Sequence, residues 1–295
     1  MNRRTLLLPV LALLAALAPG GSAASQAAGK QAAIEVRTVK APGGLDLRYE
    51  VAGSGEPALV FVHGWSCDRS YWRAQMDHFA PAHRVVAIDL GGHGESGLGR
   101  EDWSMTAFAG DVRAVVEALD LRRVVLIGHS MGGPVIVEAA RLIPDRVAAV
   151  VPVDFFSDVD APMSAEELER RVAPMRADFR TVTDGMVRSF FPPDADPELV
   201  ERVATDMAAA PPEVAIPALQ HTFRYDQGAG LAAVGAPVRL INADFWPTDL
   251  AAAREHKPDL GLAVMPAVGH FVMMEEPEEF NRLLERAVDE LAGGP

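Results

Sequence analysis

Residues 124–133, which read VVLIGHSMGG, constrain the fold more than any other part of the chain. Aliphatic residues lead into a Gly-x-Ser-x-Gly pattern centred on Ser130, and a helical stretch follows over residues 134–142. This order predicts a strand, a sharp turn and a helix, with the serine at the apex of the turn. Gly128 and Gly132 let the strand and the helix approach closely because they lack side chains. The pattern predicts a nucleophilic serine beside a helix N-terminus that can stabilise an anion, and therefore acyl transfer.

Short apolar segments alternate with helical patterns along the rest of the chain. This alternation predicts an α/β fold, in which helices flank a mostly parallel eight-stranded sheet with antiparallel strands at its front. The predicted strands cover residues 34–39, 45–51, 58–62, 84–89, 124–128, 147–153, 238–242 and 262–265, and the clearest helices cover residues 71–79, 106–119 and 277–291.

The pattern changes to helices alone between residues 155 and 234. Ser164 followed by Glu167 is typical of a helix start, and proline pairs at 192–193 and 211–212 separate further helical pieces. We interpret this segment as a helical cap, inserted after the sixth strand, that covers the carboxyl ends of the strands. The alternative is a structural subdomain with no gating role. The core domain is then formed by residues 34–154 and 235–295.

The N-terminus has the pattern of an export signal. Basic residues Arg3 and Arg4 precede an apolar stretch over 6–18 and small residues at 21–24. The pattern predicts a signal peptide over residues 1–24, a flexible leader over 25–33 and an exported protein without stable membrane association after cleavage. The general secretory and the twin-arginine routes both remain open. The alternative is an uncleaved membrane anchor.

Composition excludes several classes of partner. A formal net charge of -14 argues against nucleic acid and anionic membranes as partners. The single cysteine, Cys67, has no partner for an internal disulfide, and we interpret it as a packing residue. The eight histidines show no metal-ligand spacing, so we expect neither a metal nor another cofactor.

Four motifs occur in an order that is typical of one family. They are HGW at 63–65, DLGGHGES at 89–96, GHSMGG at 128–133, and GHF at 269–271 with EEPEEF at 275–280. With these motifs the chain resembles the α/β-hydrolase superfamily over nearly all of its predicted mature length. The resemblance implies the fold and a small-molecule substrate, but it says little about which substrate.

The resemblance also suggests a catalytic base. A serine hydroxyl needs a base to become a nucleophile, and His270 stands after the last predicted strand and before the last helix. The other histidines fit this role less well. His129 is expected to point away from Ser130, His93 belongs to a glycine-rich turn, and His63 is interpreted as structural.

Two aspartates compete for the third position of the triad. In most of the superfamily the acid follows the strand that here spans residues 238–242, but the usual spacing falls on Trp246, which is not an acid. Asp244 comes earlier than expected. Asp154 ends the preceding strand, which is where some haloalkane dehalogenases carry their acid. We favour Asp154 and keep Asp244 as the alternative.

The remaining site predictions concern the oxyanion hole and the substrate pocket. The backbone N–H groups of Trp65 and Met131 are the expected oxyanion donors. His63, Gly64, Phe155 and Trp246 are the expected pocket residues, with Phe190 and Phe191 as further candidates from the cap.

Together these features predict a serine esterase, a carboxylesterase acting on a small or medium ester. The alternatives are a thioesterase, a lactonase, a carbon–carbon bond hydrolase or a perhydrolase on the same site. A ligand-binding receptor with a hydrolase-like fold and little turnover is a further alternative. The sequence predicts no oligomeric state.

Overall fold

The computed structural model describes residues 33–160 and 163–292, and its centre is one eight-stranded sheet. The predicted signal peptide and all but the last residue of the predicted leader lie outside the described residues. The strand order is β1-β2-β4-β3-β5-β6-β7-β8, with antiparallel pairing in β1·β2 and β2·β4 and parallel pairing elsewhere. This confirms the predicted fold class. The strands are β1 (Glu35–Lys40), β2 (Asp46–Ala52), β3 (Ala58–Val62), β4 (Val85–Ile88), β5 (Val124–His129), β6 (Val147–Val153), β7 (Arg239–Ala243) and β8 (Gly261–Met265).

Two groups of helices flank this sheet. One group contains α2 and α3, which pack on each other, and α3 also contacts β5 and β6. The other group contains α1, α10 and α11, of which α11 contacts β6 and β7. The core helices are α1 (Arg73–Phe79), α2 (Met105–Ala118), α3 (Gly132–Leu142), α9 (Leu250–His256), α10 (Val272–Glu275) and α11 (Pro277–Ala292).

The central strands are apolar because both of their faces are covered. Every residue of β3, β4 and β5 is buried, as parallel strands between two helical layers require. Helix α2 shows the complementary pattern, with Phe108, Val112 and Val115 buried along one face. Ser104 caps the start of this helix, since its side chain accepts a hydrogen bond from the Ala107 N–H. Burial of these side chains keeps the strand ends in fixed positions.

Five helices follow β6 before the chain returns to the sheet in β7. They form the helical insertion after the sixth strand, in which α4 packs on α7 and α5 on α6. Ser164 caps the first of them by accepting from the Glu167 N–H at 3.2 Å. The insertion consists of α4 (Ala165–Ala177), α5 (Phe179–Arg188), α6 (Pro197–Ala208), α7 (Pro212–Arg224) and α8 (Gln227–Ala233).

None of the helices in the described part of the chain is long and apolar enough to cross a membrane. One helix begins differently from the prediction for residues 71–79. A 3-10 turn over Arg69–Trp72 precedes α1, because the Asp68 carboxylate accepts from the Ser70 N–H at 2.7 Å and starts the turn early.

Candidate active site

Ser130 directly follows β5 and has a left-handed backbone with φ of 51°. This conformation is costly for a residue other than glycine and is held by neighbouring structure. The Ser130 N–H donates to the Val153 carbonyl at 2.9 Å, and the Gly133 N–H donates to the Ser130 carbonyl at 2.7 Å. A Cβ at Gly128 would lie only 2.3 Å from the Gly132 carbonyl oxygen. The chain therefore turns sharply and presents Ser130 at the start of α3.

Asp154 repeats this arrangement at the end of the neighbouring strand β6. Its φ is 48°, and its N–H donates to the Ile241 carbonyl at 3.0 Å. One carboxylate oxygen lies 2.5 Å from Nδ1 of His270, and the other accepts from the Ala243 N–H at 2.9 Å. The carboxylate is buried, and each of its two oxygens has one hydrogen-bond partner. It fixes the orientation of the His270 ring and leaves Nε2 of that ring free for another partner.

The alternative acid, Asp244, lies elsewhere. It is exposed, and its side chain accepts from the Ala267 N–H at 3.0 Å in the turn after β8. Its own N–H donates to the Met265 carbonyl at 3.0 Å. The structure brings Asp154 to His270 and gives Asp244 a turn-stabilising position.

The two expected oxyanion donors are buried and available. Trp65 and Met131 are 5% and 0% exposed, and neither backbone N–H donates a hydrogen bond within residues 33–160 and 163–292. Buried N–H groups without a partner are rare in proteins, and those that occur need an explanation. Trp65 lines the same cavity as Ser130, and Met131 follows Ser130 directly as the N-cap residue of α3.

His63 orients one of these donors. Its Nε2 accepts from the Leu90 N–H at 3.1 Å, so Nδ1 carries the proton and donates to the Gly64 carbonyl at 2.7 Å. Because the Gly64–Trp65 peptide bond is planar and trans, holding its oxygen turns the Trp65 N–H to the opposite side. Burial lowers the pKa of His63 and keeps its ring neutral.

The prediction that His63 lines the substrate pocket is wrong. Its side chain is fully buried, and both ring nitrogens form hydrogen bonds with backbone groups, the Gly64 carbonyl and the Leu90 N–H. The other three predicted pocket residues, Gly64, Phe155 and Trp246, do line the cavity described below.

His129, which was expected to point away from Ser130, packs against His270. The two ring centroids are 4.6 Å apart, and Nε2 of His129 lies 2.8 Å from the His270 carbonyl oxygen, to which it donates. Burial, and next the charge of His270, lower the pKa of His129 well below its ordinary value. His129 is therefore a neutral donor that holds the backbone of His270.

The loop around His270 has two further partners that the sequence did not point to. The Glu275 carboxylate accepts from the Gly269 N–H at 2.8 Å and from the Phe271 N–H at 2.9 Å. The Phe190 carbonyl in the cap accepts from the His270 N–H at 2.9 Å. Glu275 stands in the fourth motif, five residues after His270, which was the only available signal.

A cavity of about 950 Å³ opens between the core and the cap, and Ser130, Asp154 and His270 line it. Its wall near His270 is aromatic, since the rings of Phe190 and Trp246 stand edge-on to the imidazole at 5.2 and 5.4 Å. Further apolar side chains line it from the cap, among them Met163, Met186 and Phe223. Charged residues such as Asp158, Arg171 and Asp226 complete the lining.

Ser130 and His270 share this cavity without a direct hydrogen bond between their side chains among the described residues. Catalytic hydrogen bonds are often long in unliganded enzymes and tighten on substrate binding. No group of three or more His, Cys, Asp or Glu residues in the described ranges is arranged to hold a metal ion.

Comparison with known proteins identifies the family of this chain. The family model described as "Alpha/beta hydrolase family" matches residues 59–283, and the chain belongs to this family. The chain is similar to a thermophilic esterase from Thermogutta terrifontis, with 26% identity and a TM-score of 0.77 over 87% of this chain and 99% of the other. It is also similar to a putative aryl esterase from Burkholderia cenocepacia, with 25% identity and a TM-score of 0.75 over 88% of this chain and 100% of the other.

A relative with a different described activity also matches. The acetyltransferase component of the acetoin cleaving system of Pseudomonas putida is 29% identical over 263 residues, which cover 81% of this chain and 66% of the relative. The chain thus spans less than two thirds of the length of that relative, and only 34% of a further curated relative, the uncharacterized protein Rv2715 of Mycobacterium tuberculosis. Membership of the α/β-hydrolase family is therefore shown, and the particular reaction is a separate question.

Proposed function

We propose that this protein is a serine hydrolase that cleaves carboxylic esters through an acyl-enzyme, with Ser130, His270 and Asp154 as its triad. The observation that carries the proposal is the 2.5 Å contact between Asp154 and His270 at the cavity that Ser130 also lines. A carboxylate, an imidazole and a serine hydroxyl in this order are the parts of nucleophilic acyl transfer.

The reaction follows from the role of each group. Ser130 Oγ attacks the ester carbonyl, and Nε2 of His270 accepts the hydroxyl proton. The backbone N–H groups of Trp65 and Met131 bind the oxyanion of the tetrahedral intermediate. His270 then protonates the departing alcohol and activates the water that hydrolyses the acyl-enzyme. Asp154 stabilises the imidazolium in both halves of the reaction.

The cavity supports an ester with a medium-sized apolar group. Its volume of about 950 Å³ is near the upper end of the range of about 300–1,000 Å³ that is usual for small-molecule sites. The aromatic wall formed by Phe155, Phe190 and Trp246 favours apolar contact. We therefore expect acyl chains of medium length to react faster than acetyl.

The test is covalent labelling combined with an ester series. We expect one fluorophosphonate adduct per chain on Ser130, and a kcat/KM for p-nitrophenyl esters that rises from acetate to a maximum at medium length. The Ser130→Ala variant should keep its melting temperature, take up no adduct and lose at least about 10³-fold in kcat. Ser70→Ala, which changes an exposed serine outside the cavity, is the matched control and should react as the wild type does.

Other outcomes would contradict the proposal. Wild-type turnover in Ser130→Ala would remove this residue from the mechanism. An adduct on Ser130 without hydrolysis of any ester would favour another acyl substrate, or a binding protein that keeps an activated serine.

A further inference from the structure

Glu275 is the one carboxylate in the fourth motif that lies directly beside the His270 loop. Its two oxygens accept from the amides on either side of His270, Oε2 from Gly269 at 2.8 Å and Oε1 from Phe271 at 2.9 Å. The side chain thus binds the backbone on both sides of His270, and it forms no hydrogen bond with the His270 ring. A carboxylate that accepts from two backbone amides is a strong and directional contact.

This carboxylate is kept in an unfavourable place. Burial raises the pKa of Glu275, and the charge of Asp154 raises it further, while the two amides and His270 act in the opposite direction. No Lys or Arg side chain pairs with it in the described part of the chain. A carboxylate without a cationic partner is costly in such a position, and the two amide hydrogen bonds offset this cost.

The other polar groups of the same backbone are held as well. The His270 N–H donates to the Phe190 carbonyl, and the His270 carbonyl accepts from His129. With the Glu275 contacts, three consecutive N–H groups and one carbonyl have defined partners. Of these partners, only Glu275 binds through a side chain that is outside the cavity wall.

We propose that Glu275 is a positioning residue that holds the His270 loop so that Nε2 of the imidazole faces Ser130. This inference rests on the proposed function, in which His270 is the base. A small displacement of a catalytic group is sufficient to reduce a rate strongly, by up to about a hundredfold for a shift of about 1 Å. Glu275 acts through the backbone and takes no part in proton transfer.

The substitution Glu275→Gln tests this role with little change in shape. A glutamine has one oxygen to accept from one amide, and its NH₂ group would face the other N–H. The matched control is Glu276→Gln, which removes the same charge from the next residue. Glu276 is exposed, and its side chain forms no hydrogen bond or ion pair among the residues that the structure describes.

Two measurements distinguish the hydrogen bonds of Glu275 to the loop from their effect on catalysis. Amide hydrogen exchange of peptides covering residues 266–276 reports the contact and needs no substrate. We expect faster exchange in Glu275→Gln than in Glu276→Gln or the wild type. Steady-state kinetics reports the consequence, and we expect kcat to fall about ten- to hundredfold in Glu275→Gln, with KM changed less than about threefold. Fluorophosphonate labelling of Ser130 should slow in parallel.

The outcomes distinguish a failure of this inference from a failure of the proposed function. Unchanged exchange in Glu275→Gln would show that the carboxylate does not hold the loop. Faster exchange with unchanged kcat and labelling would show that the contact is structural only. If Glu275→Gln does not fold, Glu275→Asp, whose side chain is too short to reach both amides, takes its place under the same criteria. If the wild type hydrolyses no ester, the proposed function fails, and the exchange experiment still tests the contact.

Discussion

At the scale of single residues, Asp154 and Asp244 have very different surroundings. Asp154 is buried, with one oxygen on His270 and the other on a backbone amide, whereas Asp244 is exposed and bonded within a turn. We expect Asp154→Asn to lower kcat by about 10³- to 10⁴-fold, because an amide neither selects the correct tautomer of His270 nor stabilises the imidazolium.

The matched variant is Asp244→Asn. Its amide oxygen can still accept from the Ala267 N–H, so kcat should stay within about twofold of the wild type. Both variants are compared in p-nitrophenyl ester hydrolysis after their folding has been checked by circular dichroism. Similar mild losses from both would mean that neither aspartate is the acid of the triad.

At the scale of elements, the segment that follows α5 in the cap packs directly on the loop that carries His270. Phe191 stacks on Phe271 with ring centroids 5.2 Å apart and planes 17° apart, and the Phe190 carbonyl binds the His270 N–H. A Cβ at Gly269 would lie 2.3 Å from the same carbonyl oxygen. The cap and the loop therefore meet at a contact that leaves no room for a side chain.

Gly269→Ala tests whether this contact matters for catalysis. The new methyl group would push the Phe190 carbonyl away, and we expect kcat to fall about ten- to hundredfold, with a loss of unfolding free energy of about 1–3 kcal/mol. Gly235→Ala is the control, since nothing lies within 4 Å of a Cβ there. Steady-state kinetics and urea unfolding measure both effects. A kcat equal to that of the wild type in Gly269→Ala would mean that the contact between the cap and the His270 loop does not affect catalysis.

At the scale of the whole molecule, buried neutral histidines make stability depend on pH. Burial lowers the pKa of His63 and His129, and it lowers the pKa of His93 to about 3. Below the unfolded value of about 6.5 the unfolded chain binds protons that the folded chain does not, so stability is complete above that pH and decreases as the pH falls. Each of these histidines lowers the free energy of unfolding by up to about 1.4 kcal/mol per pH unit, until the pH reaches the pKa of that histidine in the folded protein.

Urea unfolding at pH 7.5 and at pH 5.5 measures this dependence. The free energy of unfolding should fall over this interval, and His93→Gln should reduce the fall by about 1 kcal/mol. His78→Gln changes an exposed histidine and should leave the difference unchanged, apart from a small term for its contact with Glu285. If the free energy of unfolding fell equally between pH 7.5 and pH 5.5 in the wild type and in His93→Gln, His93 would not be a source of the pH dependence.

Much of the fold was predictable because parallel strands have a strong local signature. Strands β3 and β6 begin and end as predicted, and β7 differs by a residue at each end. The acid was not decided by the sequence, because the contact between Asp154 and His270 joins residues 116 positions apart. Local spacing carries no information about which strand end meets the loop after β8.

The errors at the site have a common physical cause. A motif predicts where the backbone runs, but it does not predict which way a side chain turns when several polar groups compete for it. His63 was placed in the pocket for this reason, and the packing of His129 on His270 was not predicted, since each ring is held by a backbone group that lies far away in the sequence. The Glu275 contacts could not be predicted, because a carboxylate at that position could equally face solvent.

The contact between the cap and the His270 loop has a consequence for the timing of the reaction cycle. Any lifting of the cap at this contact would break the Phe190 hydrogen bond and the Phe191–Phe271 stacking, so the loop would then be held by Glu275 and His129 alone. In the proposed reaction, admission of substrate through this side would therefore alternate with turnover. An acyl-enzyme on Ser130 would be hydrolysed only after the cap had returned to this contact.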